Sequence, residues 1–469
     1  MRILRESTLP DNTFNSMASI FSGQKDRTTP IARNAWKASK YNIYKRFGDG
    51  TAIIYNTASD GILGIEKEEC DRIFADDGAI LDTFTDDEMR ILALVGIIVP
   101  DWEDEDAILG IVRDKAIYET GNELKIAINP TLGCNARCEY CFEAGHQHGD
   151  MTDETVIEVA DFIERAVPDG GMITFRWFGG EPLLASDKIT RITQEVSRRL
   201  GDRVSYKSTV LTNGSLIDDD IIDLMAGIWH TTEVHLTLDG TRDEHNRIKH
   251  YLDKSTDGYQ LALDAAEKLL QRGIAVVCRI NVTTQNEDRF EEIVSEFDHM
   301  RRHDLLRVYP APTRPHTKTA KGYSIDYERY GQMHAHTMHI LRRHGFFPSL
   351  NDFMPIRKVT CCSTRATNEL VVDHDGQIYK CMQVATRHQN TIGDVKTGLV
   401  MNEELAKWAH PTRPTECKDC VFFPICQGGC QGFRSLGSQD ISVCVNERWY
   451  MDSLLELVHE DYVSEGDLS

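Results

Sequence analysis

The sequence predicts an α/β protein built on a parallel sheet with helices outside it, curved into an incomplete barrel or left open. Six short apolar runs rich in β-branched or aromatic residues, LKIAINP, MITFRWF, YKSTVLT, EVHLTLD, IAVVCRINV and LLRVYP, recur between residues 124 and 310. Amphipathic stretches such as DETVIEVADFIERAV and GYQLALDAAEKLLQRG lie between them. Such alternation implies βα units, and in either architecture the functional groups collect at the carboxyl ends of the strands. The third observation is 13 cysteines, eleven of which fall into three neighbourhoods. A cytosolic chain keeps its thiols reduced, so clustered cysteines point to metal or redox chemistry.

The 469 residues make room for about three domains of roughly 150 residues. Seventy-four acidic against 52 basic residues leave a net charge of −22, the wrong sign for neutralising phosphates, so no nucleic-acid partner is expected. No stretch of about 18 apolar residues would span a bilayer, and MRILRESTLPDNTFNSMASIF lacks a signal-peptide core of about 7–15 apolar residues. The expectation is a cytoplasmic protein with no membrane partner.

Residues 1–39 are polar and aperiodic and read as a flexible leader. Residues 40–110 form a small α+β module. YNIYKRF and TAIIYNT flank Gly48-Asp49-Gly50 as a hairpin, GILGI follows as a third strand, and helices are expected around Lys67–Phe74 and Thr85–Leu94 before VGIIVP. The acidic run DWEDEDAILGIVRD bridges to the core at 120–312. Residues 313–360 read as a helical bridging region, 361–446 as a Gly-, Pro- and Cys-rich segment that needs metal to fold, and 447–469 as a C-terminal helix and tail.

Cys134, Cys138 and Cys141 follow the first core strand as C-x3-C-x2-C. Three thiolates on one loop hold three irons of a [4Fe–4S] cubane and leave the fourth open; a zinc site completed by His146 or His148 is the alternative. CNARCEYC resembles the signature of radical S-adenosylmethionine enzymes. Trp177-Phe178-Gly179-Gly180-Glu181-Pro182 follows the second strand and resembles their GGEP motif. Thr212-Asn213-Gly214 follows the third strand. Thr237-Leu238-Asp239-Gly240, then His245-Asn246-Arg247, follow the fourth, and Arg279–Thr283 ends the fifth. Thr237 stands where a serine is common and keeps the hydroxyl. The resemblance implies a partial (β/α)6 TIM-like radical SAM barrel whose cofactor is held by Gly179, Gly180, Glu181, Thr212, Asn213, Thr237, Asp239, Arg247 and Asn281. Strand alternation is consistent with it: His235, Thr237 and Asp239 share one face, as do Arg279, Asn281 and Thr283, opposite Cys278. Tyr140 and Phe142 flank the third thiolate, as shields of the cluster, as contacts to adenine or as plain aromatic packing. Cys278 and Cys70 read as packing residues, and Asp218–Asp220 as a helix start.

The C-terminal cysteines resemble the SPASM extension of the same superfamily. That resemblance implies two auxiliary [4Fe–4S] clusters, one on Cys417, Cys420, Cys426 and Cys444, the other on Cys362, Cys381 and Cys430. Either Cys361 bends to serve the second, or that iron is open. A zinc ribbon is the alternative. Enzymes of this kind generally modify peptides or proteins, and the 40–110 module is similar to the winged-helix-like elements that bind precursor-peptide leaders. The expected function is therefore radical-based installation of a thioether or carbon–carbon crosslink in a ribosomally made peptide, with a flavodoxin or ferredoxin as reductant. Oxidation of a Cys or Ser to formylglycine, as in anaerobic sulfatase maturases, is the alternative enzyme, and a metal-sensing winged-helix regulator the alternative of another class.

Overall fold

The computed structural model describes residues 1–6, 36–75, 81, 83–143, 149–300, 304–313, 325, 327–347, 349–360, 362–410, 412–435 and 444–466. The N-terminal module begins with β1 (Arg2–Arg5), β2 (Trp36–Ala38), β3 (Asn42–Arg46), β4 (Thr51–Asn56) and β5 (Ile62–Glu66). Helices α1 (Lys67–Ile73) and α2 (Asp86–Leu94) and strand β6 (Ile98–Pro100) complete it. Both helices open with a capping box, on Glu66 and Glu69 and on Thr85 and Glu88, which satisfies backbone N–H groups that the first turn leaves free. The antiparallel order is β1-β5-β4-β3, while β2 pairs with β6. Gly50, at φ 90°, makes the β3–β4 turn. Ile54, Leu63, Ile65, Cys70, Phe84 and Leu92 form the core beneath this sheet.

Two expectations are corrected here. Arg2–Arg5 and Trp36–Ala38 were assigned to the leader, yet each pairs with a strand of the module. Neither run alternates long enough to be read as a strand; both are held by their partners. The acidic run is helix α3 (Glu105–Tyr118), capped by Asp104, so it crosses the boundary expected at residue 110.

The core contains six parallel strands: β7 (Glu123–Ile128), β8 (Met172–Trp177), β9 (Ser205–Leu211), β10 (Thr231–Leu238), β11 (Ala275–Val282) and β12 (Leu306–Pro312). They neighbour one another in chain order. Between them lie α4 (Asp153–Ala166), α5 (Ser186–Leu200), α6 (Asp219–Gly227), α7 (Arg242–Lys249), α8 (Gly258–Gln271) and α9 (Phe290–Ser295). Alternation works as the pleat requires. Val234, Leu236 and Leu238 are buried among the apolar core, whereas His235 and Thr237 on the other face are half-buried. Cys278 and Cys70 are buried packing residues, and Asp218 caps α6 by accepting from the Ile221 N–H.

The sheet does not end at β7. A four-residue strand, β13 (Glu369–Val372), pairs parallel to it, Leu370 opposite Ile126 and Val372 opposite Ile128. β14 (Gln377–Tyr379), β15 (Gly393–Asp394) and β16 (Gly398–Leu399) extend it antiparallel, giving ten strands among the described residues. The Cys-rich tail is thus built onto the β7 edge of the parallel sheet.

Between β12 and β13 lie α10 (Tyr327–Arg343) and the short α11 (Leu350–Phe353). The tail adds α12 (Glu403–Ala409), α13 (Phe423–Cys426) and α14 (Gln431–Ser435). Finally, α15 (Glu447–Gly466) lies between α10 and the N-terminal sheet. Phe47 stacks on His459 with centroids 3.7 Å apart, and Arg342 pairs with Asp461 at 2.5 Å. A Cβ on Gly64 would stand 2.5 Å from the Tyr462 ring, so the absence of a side chain there lets the helix seat. Leu454, Leu455, Leu457 and Val458 are buried in one core with Ile53 and Tyr55, each contributing roughly 1.5–3 kcal/mol.

Candidate functional site

Four loops at the carboxyl ends of β7 to β10 are bonded into one floor. The loop after β8 lies directly on the cysteine loop: the Gly180 N–H donates to Thr131 O at 3.1 Å and the Glu181 N–H to Gly133 O at 2.8 Å. A Cβ on Gly179 would stand 2.3 Å from Thr131 O, and one on Gly180 2.2 Å from Gly133 O. Both positions require glycine because backbone meets backbone there. Glu181, 1 % exposed, ties this loop to the next. Its carboxylate accepts from the Leu183 N–H, the Thr212 hydroxyl at 2.7 Å and the Asn213 N–H at 2.9 Å. Burial pushes this carboxyl up, while those three donors pull it down. Asn213 Nδ2 in turn donates to Asn135 Oδ1 at 2.8 Å, between the first two cysteines. The Arg137 N–H reaches Lys249 O at 2.9 Å, closing the floor against the end of α7.

Above that floor is a buried polar network. Asn281 Nδ2 donates to Asp239 Oδ1 at 2.6 Å, and the Lys249 ammonium lies 3.1 Å from Asp239 Oδ2. Lys249 also donates to Thr237 Oγ1 at 2.6 Å and to the Tyr140 hydroxyl at 3.2 Å. Asp239, Asn281 and Lys249 are 1, 4 and 3 % exposed. Burial opposes the ionised form of Asp239, yet Lys249, His245 and Asn281 hold its carboxyl below the usual range. Burial likewise opposes the ammonium, and Asp239 carries Lys249 well above its ordinary value.

Of the nine residues expected to hold the cofactor, eight lie in the floor or this network. Arg247 does not: it points outward, exposed, and donates to Gln285 at 2.7 Å. The buried cation is Lys249, two positions on, which sequence reasoning missed. Helical spacing was the available signal, because His245, Ile248 and Lys249, at i, i+3 and i+4, share the buried face of α7. Tyr140 was expected beside the cysteines, but its bonds to Lys249 and Asn281 were not.

The thiols of Cys134, Cys138 and Cys141 are raised first by burial, that of Cys134 to about 11 and that of Cys141 to about 12; nearby thiols and carboxylates add to both shifts. They favour the neutral form unless a cation binds. Among the described residues, the one set of three His, Cys, Asp or Glu side chains with ligand atoms all within 4.8 Å is Asp373, His374 and Asp375. The three loop thiols are therefore spread wider than one zinc ion requires, given Zn–S distances of about 2.3 Å. This spacing fits a polynuclear cluster. His146 and His148 lie outside the described residues. In the tail, burial and neighbouring thiols raise Cys417 to about 11 and Cys381 to about 12. Cys417 is influenced by Cys420 and Cys426, Cys426 by Cys444, and Cys381 by Cys362 and Cys430. Cys361 lies outside the described residues.

A parallel sheet whose first loop carries three spread thiols, and whose next three loops are bonded around it, defines a metal-dependent α/β enzyme. Residues 128–297 match the Radical SAM superfamily; this part of the chain is a radical SAM domain, the protein is an enzyme of radical chemistry, and that superfamily implies a [4Fe–4S] cluster and S-adenosylmethionine. The cysteine-type anaerobic sulfatase-maturating enzyme of Clostridium perfringens (strain 13 / Type A) is 23 % identical over 345 residues, covering 66 % of this chain and 90 % of that protein. The solved structure of native anSMEcpe with bound AdoMet and Cp18Cys peptide superposes with a TM-score of 0.57 at 20 % identity, over 74 % of this chain and all of the other. Streptococcus suis SuiB bound to precursor peptide SuiA matches 87 % of this chain and 99 % of that one, with a TM-score of 0.50 and 15 % identity. At these identities both structures establish the fold. Among the described residues no helix is long and apolar enough to cross a membrane.

Proposed function

We propose that this radical SAM enzyme is a peptide maturase that installs a thioether or carbon–carbon crosslink in a ribosomally made peptide. The observation that carries the reading is the N-terminal module. Its sheet ends in β3, which has a strand neighbour on one side only among the described residues. An extended peptide adds to such an edge by main-chain hydrogen bonds. SuiB, whose structure was solved with a precursor peptide, spans 87 % of the chain, against 74 % for the sulfatase-maturase structure.

In this reading Cys134, Cys138 and Cys141 hold the cluster, and Gly179, Gly180, Glu181, Thr212, Asn213, Thr237, Asp239 and Asn281 shape the cofactor pocket. When bound, the cluster and S-adenosylmethionine would supply a 5′-deoxyadenosyl radical for hydrogen abstraction from the peptide. Glu181 holds the GGEP loop against the Thr212–Gly214 loop, which fixes the pocket wall. Lys249, pinned by Asp239, presents a cation beside the Thr237 hydroxyl, the charge needed to receive a carboxylate. Phe142 and Phe178, stacked with centroids 6.1 Å apart, shield the cysteine loop from water. Cys417, Cys420, Cys426 and Cys444 hold one auxiliary cluster, and Cys362, Cys381 and Cys430 a second, completed by Cys361 or open at one iron. A flavodoxin or ferredoxin supplies the electron, in the cytoplasm.

The likeness to a sulfatase-maturating enzyme supports a second reading, formylglycine formation on a protein Cys or Ser. One experiment separates them. Anaerobic enzyme is given reductant, S-adenosylmethionine and either a Cys-containing ribosomal precursor peptide or a sulfatase peptide, and the products are read by mass spectrometry. The first reading expects loss of two hydrogens from the precursor peptide, with loss of a free thiol for a thioether and with all thiols retained for a carbon–carbon crosslink. An aldehyde formed only on the sulfatase peptide would contradict it.

A further inference from the structure

In the tail, an open cleft of about 590 Å³ is lined by Arg365, Lys407, His410, Gln431 and Arg434, with Glu404 as its single carboxylate. That volume falls within the ~300–1,000 Å³ of small-molecule sites. A chain of net charge −22 thus has a locally cationic pocket. We propose that it binds a small oxyanion, a carboxylate or phosphate, seated on Arg365.

The other charged groups are already engaged. Lys407 lies 3.4 Å from Glu403 and 3.7 Å from Glu404. Glu404 also accepts from the Trp408 indole at 3.1 Å. Arg434 donates to Gly428 O at 2.8 Å and pairs with Glu416 at 3.0 Å. His410 Nδ1 lies 2.9 Å from the Tyr118 hydroxyl. Arg365 differs. It is 5 % exposed, its Nη2 donates to Gln431 Oε1 at 2.9 Å, and its Nε–H meets no acceptor. Among the described residues no carboxylate lies within 4.0 Å of it, although the chain has carboxylates in surplus. A buried guanidinium left without a counter-charge is costly, and its planar fork matches the oxygens of a carboxylate or phosphate. The cleft that opens onto it supplies the route for such an anion. This inference does not depend on which peptide the radical site modifies.

The competing account is that the thiolates of a cluster held by Cys362, Cys381 and Cys430 supply the counter-charge, since Arg365 lies on the same turn as Cys362, its backbone N–H donating to Cys362 O at 3.1 Å. Titration calorimetry of the reconstituted enzyme with inorganic phosphate and, separately, succinate, in low-salt buffer, distinguishes the two. Expected is one-site binding of at least one probe, a melting temperature that rises with that probe and saturates, and at least tenfold weaker binding in Arg365→Gln with unchanged iron content. Lys407→Glu, a change at the half-exposed rim, is expected to weaken binding severalfold, and it stands as the test should Arg365→Gln fail to fold. Stronger binding of phosphate assigns a phosphorylated ligand, and stronger binding of succinate a carboxylate. The proposal is overturned by no binding of either probe, by unchanged affinity in the variants, or by loss of tail iron in Arg365→Gln with anion binding intact.

Discussion

Lys249 and Arg247 sit two positions apart on one helix and face opposite ways, and their substitutions should differ accordingly. Lys249→Met leaves Asp239 buried without its cation, which costs about 3–5 kcal/mol; urea unfolding and S-adenosylmethionine affinity should both fall. Arg247→Ala removes an exposed contact to Gln285 and should stay within about 0.5 kcal/mol with affinity unchanged. Equal effects of the two would contradict the placement. Gly180→Ala puts a methyl 2.2 Å from Gly133 O, where backbone must move. The expected cost is about 1–3 kcal/mol, with loss of iron from the cysteine loop but not from the tail. Most of the site's residues were legible because each ends a strand with a recognisable motif. Lys249 was not, because adjacency to His245 was followed in place of helical spacing.

At the scale of elements, the packing of α15 on α10 makes stability depend on pH. His334 on α10 is 7 % exposed, stacks on Tyr450 of α15 with centroids 3.6 Å apart, and is held by burial at about 3, from an ordinary value near 6.5. Below about pH 6.5 the unfolded chain therefore binds a proton that the folded chain refuses. Stability is full above that pH and falls as pH drops toward 3, by up to about 1.4 kcal/mol per pH unit. His245, likewise lowered to about 3 by burial, adds a second such group. His334→Phe keeps the ring and removes one proton's dependence. The slope of unfolding free energy between pH 5 and 6 should then be shallower than in the wild type by about that amount, and an unchanged slope would contradict the assignment. The long strands and amphipathic helices were legible in the sequence because their periodicity runs for several turns or pleats. Strands β1, β2 and β13 were not, since three or four residues carry too little pattern and each is held by a distant partner.

At the scale of the whole molecule, β1 meets α15, with Arg2 over the Tyr462 ring, and the tail continues the sheet of the core. Glu369–Val372 pairs with a strand about 240 residues earlier in the sequence, a contact that no local pattern announces; the grouping of the cysteines, by contrast, was visible from spacing alone. The whole account rests on the cysteine loop after β7 being the centre of radical chemistry. Anaerobic reconstitution, with iron and sulfide counted and 5′-deoxyadenosine assayed under reductant, tests this most directly in the wild type and in the variant C134A/C138A/C141A. The account predicts about twelve irons per chain and 5′-deoxyadenosine from the wild type, and about eight irons with no 5′-deoxyadenosine from the variant. Zinc in place of iron, or 5′-deoxyadenosine formed without those three thiols, would contradict it.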